Sequence, residues 1–192
     1  SVPGVGRFRV NIFRQRGTTS LVFRNIPFDI PTIESLNLPQ VIKNFCTKPQ
    51  GLVIVTGPTG CGKSSTLAAM VQLINQTNSL HIVTIEDPIE YLLKNENSII
   101  SQREVGIDTP SFAHALKDAL RQDPDVILIG EMRDIETTSI AMNAAETGHL
   151  IFSTMHANNT YEAVSRIIDI FPNDQQNQVK LQLANVLIGA IS

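Results

Sequence analysis

An apolar run that passes directly into a glycine-rich turn and then a helical run constrains the fold of this chain most. Residues 51–56, GLVIVT, are apolar and β-branched, and residues 57–64, GPTGCGKS, match the pattern G-x-x-x-x-G-K-[ST]. Glycines let successive backbone N–H groups turn inward around an anion, and the N-terminus of the following helix adds its positive end. The segment therefore predicts a strand, a phosphate-binding loop and a helix.

The residues of this loop have separate expected roles. Lys63 is expected to reach the β- and γ-phosphates of a nucleotide, and the Ser64 hydroxyl is expected to ligate Mg²⁺. The expected nucleotide-binding residues are Gly57, Pro58, Thr59, Gly60, Cys61, Gly62, Lys63, Ser64 and Ser65. The Cys61 side chain is expected to point away from the ligand because such a loop binds through backbone N–H groups. The loop alone leaves kinase, GTPase, recombinase and motor protein open.

From residue 51 onward, short β-branched runs alternate with helical runs. Apolar runs without alternation are typical of strands buried on both faces, and helices between them indicate a mainly parallel sheet covered on both sides. The predicted fold class is α/β, with ligands bound at the carboxyl ends of the strands. Helices are predicted at about 41–46, 63–76, 111–121, 135–146, 160–170 and 174–191.

The first 50 residues have a different pattern. Residues 7–24 alternate apolar and polar side chains around a turn at Gly17, which predicts a β-hairpin. Prolines at 27, 31 and 39 then predict a linker, so a domain boundary is expected near residues 26–38. Arginines 7, 9, 14 and 16 lie on or near the hairpin.

Composition excludes several classes of protein. The chain carries a formal net charge of -3 without a strong basic block, which argues against duplex nucleic acid as the main partner. No apolar run is long enough for a membrane-spanning helix. The start of the sequence has neither Met nor a secretion signal, so we expect it to lie inside a longer protein. The two cysteines, Cys46 and Cys61, are expected to be reduced thiols in the cytosol.

Acidic residues follow two of the predicted strands. In DVILIGEMRD, residues 125–134, Glu131 comes directly after the strand and is expected to hold the Mg²⁺ shell or orient a water. In TIEDPIEY, residues 84–91, Glu90 is the first choice for the carboxylate that accepts a proton from an attacking water, and Glu86 is the second.

Two histidines bracket the predicted strand in HLIFSTMH, residues 149–156. An extended strand advances about 3.3 Å per residue, so His149 and His156 lie roughly 23 Å apart and do not share a metal ion. His156 follows the carboxyl end of the strand. It is interpreted either as a sensor of the γ-phosphate or as a link between a catalytic carboxylate and a neighbouring group.

Taken together, four motifs resemble the secretion ATPases of type II secretion and type IV pili. In chain order they read GPTGCGKSS, TIEDPIEY, LRQDPDVILIGEMRD and AAETGHLIFSTMHANNT. The resemblance covers nearly the whole chain and is strongest to the pilus retraction ATPases of that family. The tetracysteine metal-binding insertion of extension and secretion members has no counterpart in a chain with two cysteines.

The resemblance implies a ring hexamer of RecA-like phosphate-loop domains with ATP and Mg²⁺ bound between subunits. By position, Glu131 is the Walker B acid and Glu90 the catalytic glutamate of the Asp-box. His149 and His156 are the His-box pair. The domain division it implies is 1–30 for the end of a small α+β, PAS-like amino-terminal domain, 31–50 for a linker and short helix, and 51–192 for the ATPase domain without its carboxy-terminal helices.

The resemblance also implies roles for hairpin residues. Arg7 and Arg9 are expected to approach the γ-phosphate held by a neighbouring subunit, and the proline-bearing linker is expected to act as a hinge when ATP closes the interface.

The implied function is a hexameric motor that hydrolyses ATP to drive pilus retraction. It is expected to be cytoplasmic, at the inner face of the bacterial inner membrane, and to contact the membrane only peripherally, through a pilus platform protein. Two alternatives stay open: a RecA-like nucleic-acid motor, and a pilus assembly or secretion ATPase of the same family. The first should have basic or aromatic loops that track a strand, but the chain has no Trp and two Tyr, so no nucleic acid is expected.

Overall fold

The computed structural model describes residues 7–26 and 29–192, which form a hairpin and a three-layer α/β core. The strands are β1 (Arg7–Gln15), β2 (Thr18–Ile26), β3 (Gly51–Thr56), β4 (His81–Glu86), β5 (Ile99–Glu104), β6 (Val126–Ile129), β7 (Leu150–Met155) and β8 (Leu187–Ile191). The helices are α1 (Val41–Cys46), α2 (Lys63–Thr77), α3 (Phe112–Ala119), α4 (Ile135–Glu146), α5 (Thr160–Asp169) and α6 (Gln176–Val186).

The core is a six-stranded sheet in the order β5-β4-β6-β7-β3-β8, and each neighbouring pair is parallel. The neighbouring strands β3 and β7 are buried along their whole length. This agrees with their apolar sequences, because a strand covered on both faces has no need of a polar side. The predicted α/β class with a mainly parallel sheet is confirmed.

Alternate side chains of β3 enter two separate apolar clusters, one on each face of the sheet. Leu52 and Ile54 pack with α3, α4, α5 and α6, whereas Val53 and Val55 pack with α1 and α2. Each cluster removes large aliphatic side chains from water, the main favourable term in folding. The sheet therefore lies between two helical layers, and loops follow the strands at its carboxyl edge.

The amino-terminal hairpin is present as predicted. β1 and β2 pair antiparallel from Arg7 with Ile26 to Gln15 with Thr18, around a two-residue turn in which Arg16 and Gly17 both have positive φ. Pro27 of the predicted linker lies outside the described residues, and the proposed domain boundary near residues 26–38 stays a prediction.

The predicted helix over residues 174–191 is wrong at its end. α6 stops at Val186, and residues 187–191 form β8, which pairs in parallel with β3. The segment LQLANVLIGAI continues a helical apolar pattern, so local sequence favours helix. The open edge of β3 offers hydrogen bonds that the local pattern does not reveal, and tertiary pairing overrides propensity here.

Within residues 7–26 and 29–192, no helix combines the length and the apolar character that crossing a bilayer requires.

Replacing Gly51 with alanine is expected to destabilise the sheet at the start of β3. Gly51 has φ +124°, and a Cβ there would lie 2.8 Å from Ile188 Cγ2 and 3.0 Å from the carbonyl oxygen of Val186. We expect a loss of about 2–3 kcal/mol in the free energy of unfolding, measured by chemical denaturation.

Gly148→Ala is the matched control, since Gly148 has φ +109° but its Cβ position is open. It should lose only the backbone strain, about 1 kcal/mol. Equal losses in the two variants would contradict the clash with β8.

Candidate nucleotide site

A cavity of about 600 Å³ opens at the carboxyl end of the parallel sheet. It is bounded by the loop after β3, by the segments that follow β4, β6 and β7, and by two arginines of the hairpin. The lining residues singled out from the sequence are Arg9, Thr59, Gly60, Gly62, Lys63, Ser64, Ser65, Glu86, Glu90, Glu131 and His156. The structure therefore brings most of the predicted site together.

Lys63 is the first residue of α2 and lies at the floor of this cavity. Only 9% of the residue is exposed, and its ammonium donates hydrogen bonds to the carbonyl oxygens of Gly57 at 2.9 Å and Pro58 at 3.0 Å. No acidic residue lies in the first turn of α2, so the positive end of the helix is not neutralised from within. The cation and the helix end together favour an anion at this place.

Three of the predicted loop residues, Gly57, Pro58 and Cys61, do not line the cavity. Gly57 and Pro58 act through the carbonyl groups that hold Lys63. Cys61 is exposed, and its Sγ lies over Gly57, where a Cβ would be 2.5 Å from the sulfur. Gly57 also has φ +146°, a conformation that residues with side chains rarely adopt, so this turn requires glycine.

Glu131 follows β6 and lines the same cavity as the phosphate loop. Its side chain is 14% exposed, and its Oε2 lies 2.6 Å from Arg133 Nε and 3.5 Å from His156 Nε2. The Thr154 hydroxyl donates to the Gly130 carbonyl at 2.6 Å, which joins the ends of β6 and β7. His156 therefore stands beside a carboxylate, which fits its interpretation as a link to such a group.

Two more carboxylates come from the segment after β4. Glu86 Oε1 accepts hydrogen bonds from Thr84 Oγ1 at 2.8 Å and from Gln102 Nε2 at 3.1 Å. Burial raises the pKa of Glu86, although these hydrogen bonds lower it. Glu90 is exposed to the cavity, and no hydrogen bond or salt bridge to its carboxylate is found among the described residues. Of these two carboxylates, that of Glu86 is the one engaged by neighbouring side chains in the described part of the chain.

Ser64 and Glu131 both offer side-chain oxygen atoms to a metal ion at this cavity. Both residues line the cavity, and hydroxyl and carboxylate oxygens are the ligands that Mg²⁺ prefers. In the described part of the chain there is no group of three or more His, Cys, Asp or Glu that could hold a metal ion alone. The donor set fits Mg²⁺ that takes its remaining ligands from phosphates and water.

His149 does not reach this cavity. It precedes β7, at the end of the sheet opposite to His156, and its ring Nδ1 lies 3.0 Å from the carbonyl oxygen of Ala144. Because β7 is extended, its two flanking residues face opposite edges of the sheet. His149 therefore lies away from the cavity, at the opposite end of the extended strand from His156 as the sequence predicts, and a catalytic role for His149 stays a prediction.

The hairpin contributes a pair of arginines to the cavity. Arg9 and Arg24 both line it, and the strand register places them directly opposite each other. Directly opposed side chains share one face of a hairpin, where like charges repel. No acidic side chain forms a salt bridge with either arginine in the described ranges. An anion in the cavity would relieve this repulsion.

A family model described as Type II/IV secretion system protein matches residues 8–191. The chain belongs to this family. The match covers the hairpin and the whole sheet, so family membership rests on the same elements that build the cavity.

Two curated relatives of this secretion system protein match it over its full length. The type IV pilus retractation ATPase PilT of Pseudomonas aeruginosa is 49% identical over 191 residues, which are 100% of this chain and 56% of that protein. The twitching motility protein of Neisseria gonorrhoeae is also 49% identical over 191 residues, 100% of this chain and 51% of that protein. The chain thus spans about half the length of these relatives.

A solved structure shares the fold of this secretion system protein. The crystal structure of the pilus retraction motor PilT with bound ADP superposes with a TM-score of 0.95 at 55% sequence identity. The match covers 98% of this chain and 55% of that one.

Sequence reasoning missed Arg24 in this secretion system protein. A signal was present, because placing the turn at Arg16 and Gly17 makes residue 24 the partner of residue 9. The side chain of Arg7, the other arginine expected at the site, lies outside the described part of the chain. In one chain Arg9 lines the cavity of its own phosphate loop, and its predicted contact with a neighbouring subunit stays a prediction.

The two cysteines of this secretion system protein are expected to differ sharply in reactivity. Cys46 is buried in the apolar cluster beside α2, and burial raises the pKa of its thiol to about 12. Cys61 is exposed. At pH 8 we expect N-ethylmaleimide to modify Cys61 at least about 100-fold faster than Cys46, because the thiolate is the reacting form.

Mass spectrometry of the two cysteine-containing peptides measures this difference, and unfolding in guanidinium provides the control in which both react. Fast labelling of Cys46 in the native protein would contradict the burial of α1 against α2.

Proposed function

We propose that this chain is the ATP-hydrolysing core of a hexameric motor that drives retraction of a type IV pilus. One observation carries the proposal: a single cavity gathers the phosphate loop, the carboxylates of Glu86, Glu90 and Glu131, and two hairpin arginines. Relatives named as a pilus retraction ATPase and a twitching motility protein match the entire chain, which supports the pilus assignment.

Nucleotide binding is assigned to the loop and the start of α2. Lys63 and the backbone N–H groups of the loop bind the phosphates, while Ser64 and Glu131 hold Mg²⁺. When bound, Mg²⁺ neutralises charge on the β- and γ-phosphate oxygens. His156 and Arg133 keep Glu131 oriented by their contacts with its Oε2. A carboxylate held in this way presents its remaining lone pairs in a fixed direction.

Hydrolysis is assigned to Glu90 as the general base. A water oxygen forms a bond to the γ-phosphorus, the bond from phosphorus to the bridging oxygen breaks, and the water proton moves to Glu90. ADP keeps the bridging oxygen and phosphate leaves. Glu90 suits this task because its carboxylate is exposed to the cavity, whereas Glu86 is engaged by Thr84 and Gln102.

Stabilisation of the negative charge that develops on the phosphates is assigned to Arg9 and Arg24. Their opposed guanidinium groups repel each other, so a γ-phosphate between them is favoured over an empty cavity. The hairpin is thereby drawn towards the phosphate loop when ATP is present and released after the γ-phosphate is lost. In a ring, the same contact made to a neighbouring subunit turns hydrolysis into rotation of one domain against the next, with residues 27–39 as the hinge.

The proposed partners follow from this assignment. The motor is a homo-hexamer that docks on a platform protein of the bacterial inner membrane and works at its cytoplasmic face. Relatives that match the whole chain carry names from pilus retraction and twitching motility, which supports an assignment to the pilus machinery.

The full-length protein provides the test. We expect Mg²⁺-dependent ATP hydrolysis, a hexameric mass by native mass spectrometry, and restoration of pilus retraction in cells that lack their retraction ATPase. Single-stranded DNA is expected to leave the ATPase rate unchanged. A many-fold stimulation by DNA with tight binding at physiological salt would show a nucleic-acid motor instead. Restored pilus assembly without retraction would show an assembly ATPase.

A further inference from the structure

Glu90 lies in a segment without regular secondary structure. Residues 87–98 connect β4 to β5, and none of them belongs to a strand or a helix. A catalytic carboxylate must be held within a fraction of an ångström of its working position, because small misplacements slow proton transfer. Since the Glu90 carboxylate has no partner of its own among the described residues, whatever holds the flanking backbone sets its position.

Gln102 of β5 holds this backbone directly. Its Oε1 accepts a hydrogen bond from the Leu93 N–H at 2.8 Å, and its Nε2 donates to the Tyr91 carbonyl oxygen at 3.0 Å and to Glu86 Oε1 at 3.1 Å. A glutamine amide offers two donor hydrogens and one acceptor oxygen, so a single side chain satisfies all three contacts. Gln102 is half-buried and does not line the cavity.

The other side of Glu90 is held from the same strand. Glu104, two residues further along β5 and on the same face, accepts a hydrogen bond from the Ile89 N–H at 3.0 Å through its Oε2. The Tyr91 hydroxyl lies 2.8 Å from Ser65 Oγ on α2. The residues immediately before and after Glu90 are therefore both fixed, and Gln102 contributes most of the backbone contacts.

The side chains of Ser101 and Arg103, which alternate with Gln102 and Glu104 along β5, make contacts elsewhere. Ser101 Oγ lies 3.2 Å from His81 Nε2, and Arg103 forms a salt bridge with Asp118 at 3.5 Å. These side chains lie on the opposite face of the strand from Gln102 and Glu104. Ser101 therefore provides a control on the same strand that loses one contact without touching the Glu90 segment.

We propose that Gln102 is a positioning residue for Glu90: it ties the segment 87–93 to β5 and so holds the catalytic carboxylate over the phosphate loop. Because Gln102 does not line the cavity, it acts through the segment and not on the nucleotide. This inference rests on the role of Glu90 in the proposed function.

The test compares Gln102→Met, which keeps the side-chain length but removes the amide, with Ser101→Ala in the full-length protein. For Gln102→Met we expect kcat to fall about 10- to 100-fold, while KM for MgATP and the Kd of a fluorescent ATP analogue stay within about twofold. Hydrogen exchange should rise in residues 87–93 and remain as in the wild type elsewhere. Ser101→Ala should match the wild type in kcat and in exchange of that segment.

A double variant decides whether Gln102 works through Glu90. In the Glu90→Gln background, Gln102→Met should cause no further loss of kcat, since the group it positions is already inactive. Losses that multiply, a parallel loss of nucleotide binding, or wild-type kcat in Gln102→Met would each overturn the positioning role.

Failure of the positioning role can be distinguished from failure of the proposed function. If Glu90→Gln alone keeps wild-type turnover, the assignment of Glu90 is wrong and the positioning role falls with it. If Glu90→Gln is slow while Gln102→Met has wild-type kcat and wild-type exchange, only the positioning role is wrong.

Discussion

Replacement of Lys63 by alanine is expected to reduce ATP turnover by about 10³-fold and to weaken nucleotide binding. The Lys63 ammonium is buried at the floor of the cavity and is held by two carbonyl oxygens of the loop. Alanine removes this cation from the cavity and leaves the two carbonyl groups without their donor. Steady-state hydrolysis and titration with a fluorescent ATP analogue measure the two effects.

Lys48→Ala is the matched control for this variant. Lys48 is exposed, lies just after α1 and does not line the cavity. The Lys48→Ala substitution removes one positive charge from the surface and should leave turnover unchanged. Turnover of Lys63→Ala within about threefold of the wild type would rule out the phosphate-binding role of this lysine.

Replacement of Glu90 by glutamine is expected to lower kcat by about 10²- to 10³-fold and to leave nucleotide binding intact. Glutamine has nearly the same shape as glutamate but does not accept the water proton at neutral pH. Single-turnover hydrolysis measures the chemical step directly, and the fluorescent ATP analogue measures binding.

Glu86→Gln separates the two candidate bases. Its amide oxygen still accepts the hydrogen bonds from Thr84 and Gln102, so the variant removes a charge with little change in structure. We expect single-turnover rates close to the wild type. The opposite pattern, in which Glu86→Gln is slow and Glu90→Gln is fast, would assign proton acceptance to Glu86.

The local sequence predicted those helices and strands whose own residues carry a recognisable pattern. α1 and α4 have the predicted bounds, because prolines and short polar segments interrupt the apolar pattern on either side. β8 was missed because it forms by pairing with the open edge of β3, about 135 residues earlier in the sequence. Its own residues do not favour a strand. A partner so distant leaves no mark on the local pattern.

The candidate site likewise contains residues that the local sequence predicted and residues that it did not. Residues that follow predicted strands, such as Glu131 and His156, were found because the carboxyl ends of parallel strands share one edge. Arg24 was missed because its place depends on hairpin register, and Gln102 because its side chain acts on a segment adjacent in space. His149 was grouped with His156 by motif, although an extended strand separates them.

The pairing of β3 with β7 and β8 has a consequence for synthesis on the ribosome. The strand that ends in the phosphate loop pairs only with segments about 100 and 135 residues later, so it has no partner while the first half of the chain emerges. The exposed strand is apolar and must be protected from other nascent chains until β8 has left the exit tunnel. Premature stops before Leu187 would therefore leave one edge of β3 unpaired, and the nucleotide site is complete only after β7 and His156 have emerged.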